Sequence, residues 1–403
     1  MHQPTTDVPT APLSGIRVID LTRVLAGPYA TMVLADLGAD VIKIERPGTG
    51  DDSRGFGPFR DGSSGYFASV NRGKRSCTVD LKTDEGRDIL LRLMGGADVL
   101  VENFKPGVME TLGLGWNTAH AINPRLVYVS CSGFGQTGPY ASRPAYDVIV
   151  QGEGGLLSVT GTEGGPPVRV GVSLGDLAGA LFTVIGIQAA LAERDRTGQG
   201  RWVDVAMLDA VVALLENAVV RADVDQTAPG PLGTRHPSIA PFQAFPTRDG
   251  HVVVAAGNDR LWERLCRTIG ADGLTADPRF ATNEGRVRHH GELEAALSVA
   301  FGSGDTAQWV DVLQAAGVPC GPLNRVDDVM GDPQVAARNM MIDVADREGH
   351  VFHVAGSPLA RAAAGVVAPR WFPALGEHTD DILTRHAGLD PEAVAALRRR
   401  GVI

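Results

Sequence analysis

Three stretches of this 403-residue chain bring reactive residue types into backbone settings that present them. Gly133-Phe-Gly135-Gln-Thr-Gly138 has the spacing of a dinucleotide-binding loop. That chemistry needs a helix opening at the glycines, on the first strand–helix turn, so that its N–H groups meet a pyrophosphate. Several strand-like runs precede this one, and Pro139-Tyr-Ala-Ser-Arg-Pro144 follows it, so it reads as a glycine-rich loop. Gly171-Val-Ser173-Leu-Gly175 has the spacing of a serine nucleophile elbow. An elbow predicts a strand over Val168–Val172 and a helix from Asp176, with an acid and then a histidine downstream, for example Asp343 and His350. A His-Gly-Gly oxyanion motif is missing upstream, so a serine thioesterase using Ser173 stands only as an alternative. Asp176 itself is the third candidate, with no other acid between Glu163 and Glu193. A carboxylate there, with glycines letting a bulky electrophile approach, suits covalent acyl chemistry with nearby N–H groups holding the oxyanion. Aspartate is also a favoured N-cap, and this one precedes an apolar helix, so capping is a second reading of the same residue.

The elements that must position these residues alternate. Short β-rich runs occur at Ile16–Leu21, Asp40–Ile44, Ser76–Leu81, Asp98–Glu102 and Leu126–Ser130, with helical patterns at Pro28–Leu37 and Asp84–Met94. Strand–helix–strand alternation predicts a parallel, helix-covered, Rossmann-like sheet, with ligands beyond the carboxyl ends of its strands. Those ends carry Thr22-Arg23-Val24, Glu45-Arg46-Pro47 and Asn103-Phe104-Lys105. A buried helix is expected over Leu177–Ala192, too short there to span a bilayer. A strand at Trp202–Val205 and a helical run at Leu208–Ala222 follow, and Pro/Gly-rich 228–241 marks a boundary. Beyond it a hairpin (Phe242–Phe245 with His251–Ala255) and three helical stretches predict a smaller α+β domain, with punctuated strands over 340–373 and a last helix at Glu392–Arg400.

Composition narrows the partners. Thirty-seven Lys plus Arg against 47 Asp plus Glu give a net charge of −10, which disfavours nucleic acid and anionic membranes as bulk partners. The four lysines, Lys43, Lys74, Lys82 and Lys105, fall in one segment, as an anion site would require and chance also allows. Four scattered cysteines without a C-x-x-C pair fit a reducing compartment, and polar Met1–Ser14 reads as a loose tail, so a cytoplasmic location is expected. Glycine makes up 50 residues, about 12% against a usual ~7%, and nine of them lie between Gly152 and Gly179.

At this point the chain is identified by resemblance with the class III CoA-transferases, the formyl-CoA and carnitine CoA-transferase group. The carriers are Pro12–Asp20 (PLSGIRVID), Ala26-Gly-Pro28, Leu37–Arg46 (LGADVIKIER), Asn71–Ser76 (NRGKRS) and Ala97–Gly107 (ADVLVENFKPG). Asn123-Pro-Arg125, Gly175-Asp176, Pro319-Cys-Gly-Pro322 and Leu375–Asp380 (LGEHTD) follow in order, so the similarity runs from Leu13 to Ile403.

The resemblance implies that Asp176 attacks an acyl-CoA thioester to give a mixed anhydride. CoA then takes the aspartyl group as a thioester, and an acceptor carboxylate completes the exchange. CoA and acyl-CoA are substrates; no metal and no permanently bound cofactor are implied. CoA contacts carry over by position to Val24, Arg46, Val79, Lys82, Asn103 and Phe104, with Arg143 and Tyr146 completing the set. Arg46 and Lys82 suit the phosphates of CoA. Read alone, each cation is equally a solvated surface charge, and Asn103-Phe104 a strand end with a core aromatic.

Departures from the formyl-CoA pattern are Leu25 for a glutamine, Thr111 for a basic residue and Pro144 for a lysine, beside which Arg143 stands. With the missing glycine run in 236–257 they argue against oxalate and formate and lean towards a larger carboxylic or dicarboxylic acid. An acyl-CoA racemase of the same family is the nearest alternative, but Tyr146-Asp147 stands where that branch resembles a histidine-aspartate pair, and tyrosine lacks the near-neutral pKa of a base. The organisation so implied is a tail (1–14), a large Rossmann-like CoA-binding domain (15–207), a linker (208–230), a small α+β domain (231–329), a return linker (330–374) and a C-terminal part of the large domain (375–403). The resemblance also implies a ring-shaped chain in an interlocked homodimer.

Overall fold

A computed structural model describes residues 11–359 and 369–403; most of the expected N-terminal tail and part of the return segment lie outside the described residues. The first unit is built on six strands: β1 (Arg17–Asp20), β2 (Asp40–Glu45), β3 (Arg75–Thr78), β4 (Val99–Glu102), β5 (Val127–Ser132) and β6 (Trp202–Ala206). They pair in parallel in the order β3-β2-β1-β4-β5-β6, the order of a doubly wound sheet. Central strands covered on both faces read as unbroken apolar runs, as Val99–Val101 and Val127–Val129 do.

The period of two sorts their side chains. Ile19, Ile42, Leu100 and Tyr128 join one buried cluster with Ile89, Leu90 and Leu93 of the helix Asp84–Gly95. Val18, Val41, Val99, Val101, Val127 and Val129 join another, with Leu34 of the helix Ala26–Asp36 and Ile187 of the helix Leu174–Thr197. The helix Asp84–Gly95 starts where Thr83 accepts the Gly86 N–H, with Asp84 and Glu85 in its first turn and Arg92 in its last. The C-terminal helices Thr379–His386 and Pro391–Arg399 add Ile382, Leu383, Val394 and Leu397 to the first cluster.

Among the described residues the first unit comprises 11–156, 170–219, 334–359 and 369–403, so the chain leaves it and returns. The second unit (157–169 and 220–333) carries an antiparallel sheet of β7 (Phe242–Pro246), β8 (His251–Ala255) and β9 (Cys320–Pro322), covered by helices around Trp262, Phe280, Leu297 and Phe301. Back in the first unit, β10 (Met341–Ala345) and β11 (Val351–Ala355) form a hairpin whose Ile342, Val344 and Phe352 pack with Phe67 and Phe372.

Two expectations about helices change. The helical run after β6 is two helices, Met207–Leu214 and Glu216–Asp225. The helix expected to be too short for a bilayer runs 24 residues, Leu174–Thr197, and is long and apolar enough to cross one. Half of its most apolar stretch is buried inside this structure, packed against the sheet and the helix Ala26–Asp36. Gly198 ends it in the left-handed region (φ 74°), where a glycine cap is cheapest.

Candidate functional site

In this strand order the chain winds away from β1 in opposite senses, and the crevice beyond the carboxyl ends of β1 and β4 is the topological switch point. The two segments that meet there are locked together. Asn103 Oδ1 accepts the Arg23 N–H at 2.9 Å, and Asn103 Nδ2 donates to the Arg23 carbonyl at 2.8 Å. Val24 then takes φ 69°, uncommon for a β-branched residue and costing of order 1–3 kcal/mol. Its N–H donates to Asp51 Oδ1 at 3.2 Å, so the strained residue and the one before it are both held.

Beneath this turn lies a buried charge lattice. Lys74 Nζ donates to Asp20 Oδ2 at 3.0 Å, to Asn71 Oδ1 and to the Pro28 carbonyl. Lys43 Nζ reaches Asp51 Oδ2 at 2.8 Å and the Thr22 carbonyl at 2.8 Å, and Arg54 forks onto Glu45 at 2.7 and 2.8 Å. Burial pushes the Asp20 carboxyl up, but Lys74, Lys43 and the Thr22 and Thr31 hydroxyls outweigh it and hold it below its ordinary value. Burial pushes Lys74 down to about 8 despite Asp20. Every member being paired, the lattice fixes the turn; removing one partner would strand a buried charge.

Two cavities open on this turn. The first, about 260 Å³, is lined by Asp176, Val24, Asn103, Phe104, Arg143 and Tyr146, with Arg23, Leu25, Asp52, Lys105, Cys131 and Met207. Asp176 is half-buried in the first turn of the helix Leu174–Thr197, whose N-cap is Ser173; it is not the capping residue. The positive end of the helix and its first N–H groups favour negative charge there. Asp147 Oδ1 accepts the Gly175 N–H at 2.9 Å, tying the loop that carries Tyr146 to the helix start that carries Asp176. A Cβ on Gly175 would come within 2.7 Å of Val150 Cγ2 and 3.2 Å of Asp147 Oδ1, so this close approach needs glycine. Burial pushes the neighbouring Cys131 thiol up to about 12, with the Asp176 charge adding to it, so it offers no thiolate near neutral pH.

The second cavity, about 520 Å³, is lined by Arg46, Val79 and Lys82 with Thr49, Asp80 and Gly401. Arg23 and Phe104 line both cavities. The positive charge expected of Arg46 is partly spent. Its Nη2 binds Asp52 Oδ1 at 2.5 Å, while Arg23 Nη1 binds Asp52 Oδ2 at 3.2 Å. Two guanidiniums share one carboxylate, and Lys82 is exposed without an ion pair among the described residues. Arg143 pairs with Glu153 and lies over the rings of Phe134 and Tyr140.

The nine residues singled out from sequence thus fall along the two cavities, six at the first, Arg46, Val79 and Lys82 at the second, and Phe104 counted once though it borders both. The sequence singles out neither Asp52 nor Met207, while Arg23 and Lys105 stand out there only as strand-end residues, Lys105 also as one of the four clustered lysines. Ser173 lines neither cavity, and no strand forms over Val168–Val172, so the elbow lacks its strand. Its suggested partners are committed elsewhere, Asp343 with His353 and His350 with Asp346. Residues 133–146 form a loop, and the next helix begins only at Asp147. Among the described residues, Asp346, Glu348 and His350 gather ligand-type atoms within 4.8 Å, at a different cavity beside Ser63 and Arg54. A larger hollow of about 640 Å³ lies between the two C-terminal helices, but its charges pair with one another, Arg398 with Asp380 and Arg385 with Asp381.

Comparison with known proteins agrees in breadth. The model of CoA-transferase family III matches residues 13–379. An acetyl-CoA:oxalate CoA-transferase of Acetobacter aceti is 48% identical over 343 residues, 85% of this chain and 88% of that one. A succinate–glutarate CoA-transferase of Agrobacterium fabrum is 42% identical over 392 residues, 94% of this chain and 97% of that one. The crystal structure of a CAIB/BAIF family protein from Brucella suis, 40% identical, superposes with a TM-score of 0.83 over 93% of this chain and 99% of that one.

Proposed function

The chain belongs to CoA-transferase family III, and from that premise we propose that it moves CoA from an acyl-CoA to a carboxylic acid through covalent intermediates on Asp176. The observation that carries this is the pair of cavities sharing Arg23 and Phe104: a carboxylate stands in one and exposed cations in the other. A CoA thioester laid across that shared wall would have its phosphates near Arg46 and Lys82 and its carbonyl near Asp176.

A carboxylate oxygen of Asp176 attacks the thioester carbonyl carbon, and the oxyanion that forms is stabilised by N–H groups at the helix start. The C–S bond breaks and CoA leaves as thiolate, giving a mixed anhydride. The thiolate attacks the Asp176 carbonyl carbon, the anhydride C–O bond breaks, and the donor acid departs as carboxylate. The acceptor carboxylate then attacks the aspartyl-CoA thioester and expels the thiolate. The thiolate finally attacks the acceptor's acyl carbon and returns Asp176 as carboxylate. No net proton is consumed, so the scheme asks for positioned donors and exclusion of water rather than a general base.

The relatives named for oxalate and for succinate and glutarate act on dicarboxylic acids of different length. We assign this chain a dicarboxylic acid as donor or acceptor, with oxalate kept inside the class despite Leu25, Thr111 and Pro144. A cytoplasmic enzyme is consistent with four free thiols, Cys77, Cys131, Cys266 and Cys320. A homodimer of interlocked rings is supported by the chain's departure from the first unit and its return, and by the exposed apolar Leu181, Phe182 and Ile185. The reaction is tested with Asp176→Ala: CoA exchange between succinyl-CoA and glutarate should fall by at least about 10³-fold with an unchanged melting temperature. A variant within threefold of wild type would end the covalent scheme.

A further inference from the structure

Arg23 is held at its backbone and over an aromatic ring, and its remaining hydrogen-bonding capacity meets a need that CoA transfer to a diacid creates. Its backbone is gripped on both sides by Asn103, at 2.9 and 2.8 Å, and the next residue is pinned in the left-handed region by Asp51. The guanidinium carbon lies over the Phe104 ring, 5.3 Å from its centroid, so one face of the group is covered and its donors project edge-on. Nη1 binds Asp52 at 3.2 Å, whereas Nε and Nη2 find no hydrogen-bond partner among the described residues. Nε and Nη2 form one edge of the guanidinium, the edge that accepts a carboxylate side-on with two parallel bonds.

The other cations of the Asp176 cavity are less suited. Arg143 is spent on Glu153 and two aromatic rings, and Lys105 is an exposed ammonium without a fork. Charge points the same way: Arg46 makes the shorter contact with Asp52, leaving Arg23 the weaker of the two claims on that carboxylate. A dicarboxylic acyl group reacts at one end and must keep its other carboxylate ionised in a cavity of about 260 Å³. We propose that Arg23 is the specificity-determining residue of this enzyme, binding the distal carboxylate of a dicarboxylic acyl group through Nε and Nη2 while Nη1 stays on Asp52.

This rests on the reading of Asp176 as the site of transfer, and the test separates the two. The comparison is wild type against Arg23→Gln and Arg23→Lys, with succinyl-CoA as common donor and either glutarate or the monocarboxylate butyrate as acceptor. The ratio of kcat/KM for glutarate over butyrate should drop about 10- to 30-fold in Arg23→Gln, mainly through the glutarate KM, and partly recover in Arg23→Lys. An unchanged ratio would overturn the proposal, as would a wild type that prefers butyrate. Arg23 also borders the cavity of Arg46 and Lys82, so CoA affinity is titrated by calorimetry in parallel. A loss of CoA affinity as large as the loss of glutarate turnover would make Arg23 a phosphate ligand and overturn it too. An acyl adduct on Asp176, trapped in Arg23→Gln from butyryl-CoA, shows that the transfer site stands whichever way the ratio moves; no adduct in either protein would sink the site itself.

Discussion

Glu102 shows how a residue beside the site answers to pH. It ends β4, is buried, and its Oε2 accepts the Phe104 N–H at 2.8 Å. Burial pushes its carboxyl up to about 7 from an ordinary 4.5, opposed by the Ser130 hydroxyl and the Phe104 N–H and reinforced by Glu110 and Asp204. An acid whose folded value is raised binds its proton more tightly in the folded state. Its contribution is therefore complete below about pH 4.5 and is lost as pH rises through about 7, worth roughly 3 kcal/mol in all. Glu102→Gln should raise the melting temperature at pH 8 clearly more than at pH 5; an equal shift at both would show that Glu102 does not titrate there. None of this is legible in the sequence, where Glu102 is one acid among 47. The opposite holds for Asp176, whose isolation between Glu163 and Glu193 and glycine flanks singled it out; what the sequence left open, cap or not, depended on one turn of helix. Arg46 marks a third case, since its partner Asp52 sits on a turn that comes close only once the chain folds.

Elements were easier to anticipate than their side-chain partners, because strand and helix periods are local properties of the chain. The strands ending at Asp20, Glu45 and Glu102 were legible as apolar runs, and with them the switch-point loops that carry Arg23, Val24, Asn103 and Phe104. The strand expected before Ser173 failed because Gly164-Gly165-Pro166-Pro167 precedes it and leaves that segment without ladder partners. The helix Leu174–Thr197 ran longer than its apolar core suggested, as Arg194 near its end is buried against Asp98 at 2.9 Å. Its outer face carries Leu181, Phe182 and Ile185, with Ile185 61% exposed in the single chain. If that face is the dimer contact, Ile185→Asp should leave the fold intact and shift light-scattering mass from two chains towards one; a wild type of single-chain mass would remove the proposed homodimer.

At the scale of the molecule, the acidic balance and the cationic site are compatible because the lysine-bearing segment folds inward. Lys43 and Lys74 are wholly buried in the lattice under the turn, which leaves Lys82 and Lys105 exposed at the cavities. The lysine segment, which the sequence leaves open between an anion site and chance, is therefore half scaffold and half surface. The Pro/Gly-rich stretch 228–241, expected as a boundary, lies inside the second unit, which takes up the chain at 220 and also holds 157–169, whereas Ile382, Leu383, Val394 and Leu397 return the C-terminal helices to a sheet made some 300 residues earlier. All of this serves one claim, that Asp176 carries the acyl group and then CoA. The direct measurement is to incubate the protein with succinyl-CoA, quench with hydroxylamine and map the product by peptide mass spectrometry. The account predicts a hydroxamate on Asp176 in wild type and none in Asp176→Ala. An unmodified Asp176 in protein that is still exchanging CoA, or an adduct at another residue, would contradict it.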